Sequence, residues 1–186
     1  MAERVLVLVD LQKDYFPGGR WELEGIEAAA ANAARLLAGF RAAGEPVVHV
    51  RHETLREPAP FFAKGSEGAE IAPVVAPRGG EAVIVKNHPN SFRSTSLDEV
   101  LRALMAREIV IAGAMSHMCI DATVRAAADL GWPVTVAHDA CATRALIFEG
   151  REVPAAEVHA AFMAALAFGY AKVVPTEVAL AALPVD

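Results

Sequence analysis

The chain has 186 residues, 54% of them hydrophobic and 22% charged, and its 17 Lys+Arg against 23 Asp+Glu give a formal net charge of -6. This composition excludes a disordered chain, and an acidic balance without any Lys/Arg cluster excludes a nucleic-acid footprint. No apolar run is long enough to span a membrane or to serve as a signal-peptide core, and the two cysteines lack disulfide-framework or zinc spacing, so a single cytoplasmic domain over residues 1–186 is expected.

Short apolar runs alternate with helical stretches. After Glu3 and Arg4, Val5–Val9 reads as a strand. Ile26 to Ala43 carries Leu36, Leu37 and Phe40 on one side of a helix that Gly44 stops. Pro46–Arg51 is a second strand, and the stretch His52–Glu81, rich in Pro, Gly and charge, reads as a long loop. Ala82–Lys86 is a third strand, and Ser96-Leu97-Asp98-Glu99 reads as a capping box opening a helix over Leu97–Ala106. Ile109–Ala112 is a fourth strand, followed through a tight turn by a helix from His117 or Met118 to Leu130. Pro133–Ala137 is a fifth strand, and Asp139–Val153 reads as a second irregular connection. Pro154 fits the first position of a helix reaching Phe168, Ala171–Val174 is a sixth strand, and Thr176 opens a short final helix.

Strands hydrophobic on both faces, alternating with helices, predict an α/β fold of three layers, α/β/α. It is a Rossmann-like, open, six-stranded, mostly parallel sheet with helices on both faces. In such a sheet the ligand site lies outside the carboxyl ends of the strands. The first strand ends in Asp10, the third in Lys86, and the fourth leads into Cys119, so a carboxylate, an ammonium and a thiol leave the same edge. Cys119 is expected at or near a helix N-terminus, where unpaired backbone N–H groups and the helix dipole favour a thiolate. Asp10 would accept the thiol proton, Lys86 would keep the carboxylate ionised, and amides around Met115 and Cys119 would bind a developing oxyanion.

The segments Val9-Asp10-Leu11-Gln12-Lys13-Asp14-Tyr15-Phe16, Val85-Lys86 with Ser91-Phe92, Gly113-Ala114-Met115-Ser116-His117-Met118-Cys119-Ile120 and His138-Asp139-Ala140-Cys141-Ala142-Thr143 stand in order along nearly the whole chain. Together they resemble the isochorismatase-like cysteine hydrolases, a superfamily that includes nicotinamidases and small amide or ureide hydrolases. The resemblance implies the triad Asp10, Lys86 and Cys119. It also implies a non-proline cis peptide between Ala114 and Met115 that orients the oxyanion-binding amides, and it implies a homo-oligomer. The activity it implies is cofactor-independent cleavage of an amide or ureide C–N bond through a Cys119 acyl intermediate. Alternatives are the vinyl-ether cleavage of isochorismatase itself, a non-catalytic binding or assembly member, and a thiol redox protein pairing Cys119 with Cys141.

Phe16, Trp21, Phe92, Met115 and His117 are candidate walls of a small-molecule pocket, with plain core packing as the competing role; Cys141 reads as structural. Gln12 and Asp14 read as loop-stabilising hydrogen-bond formers. Arg51, Arg56, Arg93 and Arg144 are the cations available to a substrate carboxylate. His49 and His52 stand three apart on an extended strand and so point to opposite faces. The segment His49-Val50-Arg51-His52-Glu53 lacks the Asp-x-His pair that nicotinamidases carry, so neither a metal nor nicotinamide is expected. Glycine pairs Gly18-Gly19 and Gly79-Gly80 form no phosphate-binding fingerprint, and no cofactor is expected.

Overall fold

The computed structural model describes residues 4–184; Glu3 lies outside them. Eight strands and five α-helices follow in chain order: β1 Arg4–Val9, α1 Ile26–Ala42, β2 Val47–His52, β3 Ala82–Lys86, α2 Leu97–Ala103, β4 Glu108–Ala114, α3 Asp121–Asp129, β5 Val134–Ala142, β6 Leu146–Phe148, β7 Arg151–Val153, α4 Ala155–Gly169, β8 Lys172–Val174 and α5 Thr176–Ala181. Six strands form one sheet in the order β3-β2-β1-β4-β5-β8, every neighbouring pair parallel, and β6 pairs with β7 in an antiparallel hairpin. Among the described residues, no helix is long and apolar enough to cross a membrane.

The two-residue period of a strand sorts β1 between two cores. Leu6 and Leu8 join a core with Leu36, Leu37 and Phe40 of α1 and Ala179 of α5. Val5, Val7 and Val9 join the other, with Leu97 and Leu101 of α2, Val124 and Ala127 of α3, and Met163 and Leu166 of α4. Both faces of the central strands are therefore dry, which is why they read as continuous apolar runs. The chain winds outward from β1 to β2 and β3, then returns to β4 on the other side of β1. The carboxyl ends of β1 and β4 thus flank the point where strand order reverses, the place where such sheets bind ligands.

The structure corrects several boundaries. Ser96 makes no side-chain cap on α2; the Leu97 N–H instead donates to Thr95 Oγ1 at 3.3 Å, and α2 stops at Ala103. Pro154 precedes α4 rather than occupying its first position. The stretch after Ala137 is not irregular at its start. β5 runs on to Ala142 through a register shift against β4 between Ile111 and Gly113, and the hairpin follows. The shift sets Asp139 beside α5, where its carboxylate accepts the Thr176 N–H and hydroxyl, both at 2.7 Å. Gly113 itself sits at φ +135, and a Cβ there would stand 1.9 Å from the Val9 carbonyl oxygen, so β4 can lie against β1 here only with glycine.

The long connection from β2 to β3 is folded rather than loose. It makes short 3-10 turns at Glu67–Ala69 and Pro73–Val75 and sends Phe62, Ala69, Ala72 and Val75 into the α1-side core. Two buried polar side chains tie it to the segment after β1. The Gln12 amide donates to the carbonyls of His52 and Ala69, both at 2.8 Å, and the Asp14 carboxylate accepts the Phe62 N–H at 2.6 Å and the Arg20 N–H at 3.2 Å. These are the loop-holding roles expected of both residues.

Candidate active site

Three strand ends converge. Asp10 follows β1 in the left-handed region at φ 53, fixed by its own N–H donating to Val50 and its carbonyl accepting from Gln12, each at 2.9 Å. Lys86 is the last residue of β3, and β2 lies between β3 and β1, so its side chain extends past the end of β2 to reach Asp10. The Lys86 ammonium donates to Asp10 Oδ2 at 2.7 Å, to Cys119 Sγ at 3.2 Å and to His52 Nδ1 at 3.0 Å. Asp10 and Lys86 are fully buried and Cys119 is 6% exposed. The second Asp10 oxygen, Oδ1, has no hydrogen-bond partner among the described residues.

Burial pulls the Lys86 ammonium toward deprotonation, but the neighbouring Asp10 and Cys119 hold its pKa above the ordinary lysine value. Burial pushes the Cys119 thiol well up, Asp10 adds to this, and Lys86 only partly opposes them. Burial and Asp10 thus oppose the thiolate that a helix N-terminus favours. Cys119 lies inside a π-helical turn, Ser116–Ile120, that runs directly into α3, with the Met115 carbonyl accepting from Met118 and Ile120 at 3.0 and 3.2 Å. Cys119 is the fourth residue of this run and so lies within its first turn, near the N-terminal end. Met115 and Ala114 are joined by a cis peptide, as the resemblance implied, and both are buried. The turn is tied to its surroundings by Ser116, whose hydroxyl lies 2.8 Å from His159 Nδ1 on α4 and 3.3 Å from the Ala142 carbonyl.

A layer of aromatic rings lies beside the cluster. Tyr15 is buried, and its hydroxyl is held far above the usual tyrosine pKa by burial and by the charges of Cys119 and Asp10. Phe62 packs on Tyr15 with centroids 4.6 Å apart and faces the His52 ring at 6.2 Å. Phe61 stacks on Trp21 at 4.9 Å, and the Arg144 guanidinium lies over the Trp21 ring at 4.4 Å. The Trp21 indole N–H is buried without a partner among the described residues. His117 shares a hydrogen with Thr143 Oγ1 at 2.5 Å and meets Phe162 edge-on.

The expected wall residues thus divide. Met115 and His117 belong to the nucleophile turn, and Trp21 belongs to the aromatic layer. Phe16 instead lines a separate groove with Lys13, Pro17, Gly68 and Ala72, to which none of Asp10, Lys86 and Cys119 contributes. Phe92 packs against the core on the α2/α3 side, the cluster that also holds Cys119. Reasoning from sequence passed over Tyr15, Phe61, Phe62 and the contact of His52 with Lys86. The adjacent Phe61-Phe62 pair inside a Pro- and Gly-rich stretch was the available signal. His49 and His52 do part company: His49 Nε2 pairs with Glu81 at 3.0 Å. Asp10, His52 and Cys119 offer donor atoms all within 4.8 Å of one another, but the Lys86 ammonium already bonds to each of the three residues.

A family model for the isochorismatase domain matches residues 4–178. The chain is 51% identical over 172 residues to an uncharacterised isochorismatase family protein of Bacillus subtilis, covering 92% of this chain and 96% of that one. It is 31% identical to the maleamate amidohydrolase of Pseudomonas putida, covering 75% and 72% of the two chains. The crystal structure of an isochorismatase-type hydrolase from Oleispira antarctica superposes with a TM-score of 0.93 at 54% identity, covering 96% of each chain.

Proposed function

The chain belongs to the isochorismatase family and is a hydrolase, and from that premise we propose that it cleaves the C–N bond of a small amide or ureide through a thioester on Cys119. The observation that carries this reading is the buried Lys86 ammonium, which bridges the Asp10 carboxylate and the Cys119 sulfur at 2.7 and 3.2 Å. With Oδ2 held by Lys86, the unpartnered Oδ1 of Asp10 is the group that takes the thiol proton as Sγ attacks the substrate carbonyl carbon. A thiol whose pKa is raised suits this concerted transfer, because the proton leaves only when a carbon is there to receive the sulfur.

The tetrahedral oxyanion accepts hydrogen bonds from the backbone N–H groups of Met115 and Cys119. Its collapse breaks the C–N bond, and Asp10 returns the proton to the departing nitrogen. Water, deprotonated by Asp10, then attacks the thioester. The acid is released, and the proton goes back to the sulfur.

Arg144 supports a substrate bearing a carboxylate. It is half-buried beside the aromatic layer, its charge reaches His117 in the nucleophile turn, and it has no carboxylate partner among the described residues. The amide of a small dicarboxylic acid, the class that includes the substrate named for the Pseudomonas putida relative, fits both ends of this arrangement. The two free thiols fit a reducing, cytoplasmic setting. Ile147 and Phe148 on the hairpin, 77% and 72% exposed, fit a surface covered by a second copy of the chain.

A screen of ammonia release across small amides, ureides and lactams, with Cys119→Ala as the blank, tests the reading. It predicts release by the wild type alone, strongest with substrates carrying a carboxylate. Release from none of them would sink it in favour of vinyl-ether cleavage or a non-catalytic role.

A further inference from the structure

An ammonium has three N–H donors, and the one on Lys86 is fully buried, so each must be matched by protein. Two go to Asp10 and Cys119, the third to His52 Nδ1 at 3.0 Å. A lysine that stays charged can only donate there, which makes Nδ1 an acceptor and puts the imidazole hydrogen on Nε2. The ring is held in place from its own backbone. The His52 N–H donates to Gln12 Oε1 at 2.7 Å and its carbonyl accepts from Gln12 Nε2 at 2.8 Å, while Phe62 faces the ring.

We propose that His52 is a positioning residue whose neutral imidazole holds Lys86 on Asp10 and Cys119, and that its protonation in acid releases Lys86 and turns the site off. This rests on the Asp10–Lys86–Cys119 reading above. A proton on Nδ1 would set two cations 3.0 Å apart, so Lys86 must move or the ring must turn. Asp10, near enough to share the cluster with His52, would then pair with the imidazolium and cease to be a free base. The groups facing His52 are Asp10 from the end of β1, Lys86 from the end of β3, His88 just beyond it and Cys119 from the nucleophile turn. Asp10 favours the imidazolium. Burial, Lys86 and His88 oppose it and keep the ring neutral below the ordinary histidine range.

The test uses the rate of Cys119 alkylation by iodoacetamide against pH, which needs no substrate, beside ammonia release where a substrate is found. In the wild type both rates fall together on the acid side. His52→Asn keeps an acceptor that does not titrate, so it retains a measurable rate and its acid fall moves down by about one pH unit or more. His52→Ala leaves the ammonium short of an acceptor and slows alkylation by about tenfold or more at every pH. In the unmodified protein, imidazole nitrogen NMR shows His52 as the Nε2–H tautomer at neutral pH. An acid fall unchanged in His52→Asn, or a His52 found protonated at Nδ1 at neutral pH, overturns the proposal. Absence of ammonia release with the alkylation pattern intact would count against the amidase reading alone.

Discussion

Burial and the Asp10 carboxylate push the Cys119 thiol up, and the Lys86 ammonium opposes them. Lys86 is therefore the residue whose loss has two separable effects. Lys86→Ala leaves the Asp10 carboxylate buried without its cation, which is expected to cost about 3–5 kcal/mol in urea unfolding. It also raises the barrier to thiol attack, with alkylation of Cys119 slowed by about a hundredfold at neutral pH. Cys119→Ser keeps the fold but loses ammonia release by about a thousandfold; an unchanged rate in that variant would remove the cysteine from the chemistry. The three residues were legible in the sequence because each follows an apolar strand run, and in a parallel sheet those ends share one edge. His52 was not legible as their companion. It too ends a strand, but its partner is an ammonium from the next strand, and only the distance between side chains shows that Lys86 has a third hydrogen to place.

The segment between β2 and β3 brings Phe62 beside the Tyr15 and His52 rings at the cluster. Its hold on the site runs through Asp14, whose carboxylate accepts the Phe62 N–H at 2.6 Å. That carboxylate fits only because Gly68 has no side chain: a Cβ there would stand 2.1 Å from Asp14 Oδ1. Asp14→Ala leaves the buried Phe62 N–H unpaired and is expected to cost about 1–3 kcal/mol. It also loosens the packing of Phe61 and Phe62 on Tyr15. Amide exchange should therefore quicken across residues 55–75 while the amides of β1 and β4 stay protected, and equal quickening in all three would contradict a local role. Composition marked this stretch as long and irregular, and it is irregular, but its compactness comes from contacts with residues far away in sequence. The extension of β5 was hidden for another reason: residues 139–142 read as a connection because a strand carrying a register shift has no regular alternation.

At the scale of the whole molecule, the layered sheet follows from alternation of apolar runs and helical stretches, and the strand order places the switch between β1 and β4. The charge economy of the fold adds a pH dependence. His49, His52, His117 and His159 all have pKa values lowered from about 6.5, chiefly by burial. The unfolded chain binds these protons more readily than the native one. Stability is thus full above about pH 6.5 and falls as the pH drops through the lowered native values. Glu81, held to about 2 mainly by its Arg41 hydrogen bond, acts in a lower window: its contribution is present above about 4.5 and is lost toward 2. Urea midpoints should therefore begin to decline below neutrality, before the carboxylates titrate, and a midpoint flat from pH 7 down to 5 would contradict the burial of these imidazoles.

The central claim, that Cys119 carries the acyl group, is tested most directly by intact-mass and peptide mass spectrometry of protein quenched during turnover of an amide found by the ammonia screen. A mass increase equal to the acyl part of the substrate, on the Cys119 peptide and absent from Cys119→Ala, is the predicted result. Ammonia released at an undiminished rate by Cys119→Ala, with no adduct on the wild type, would contradict it.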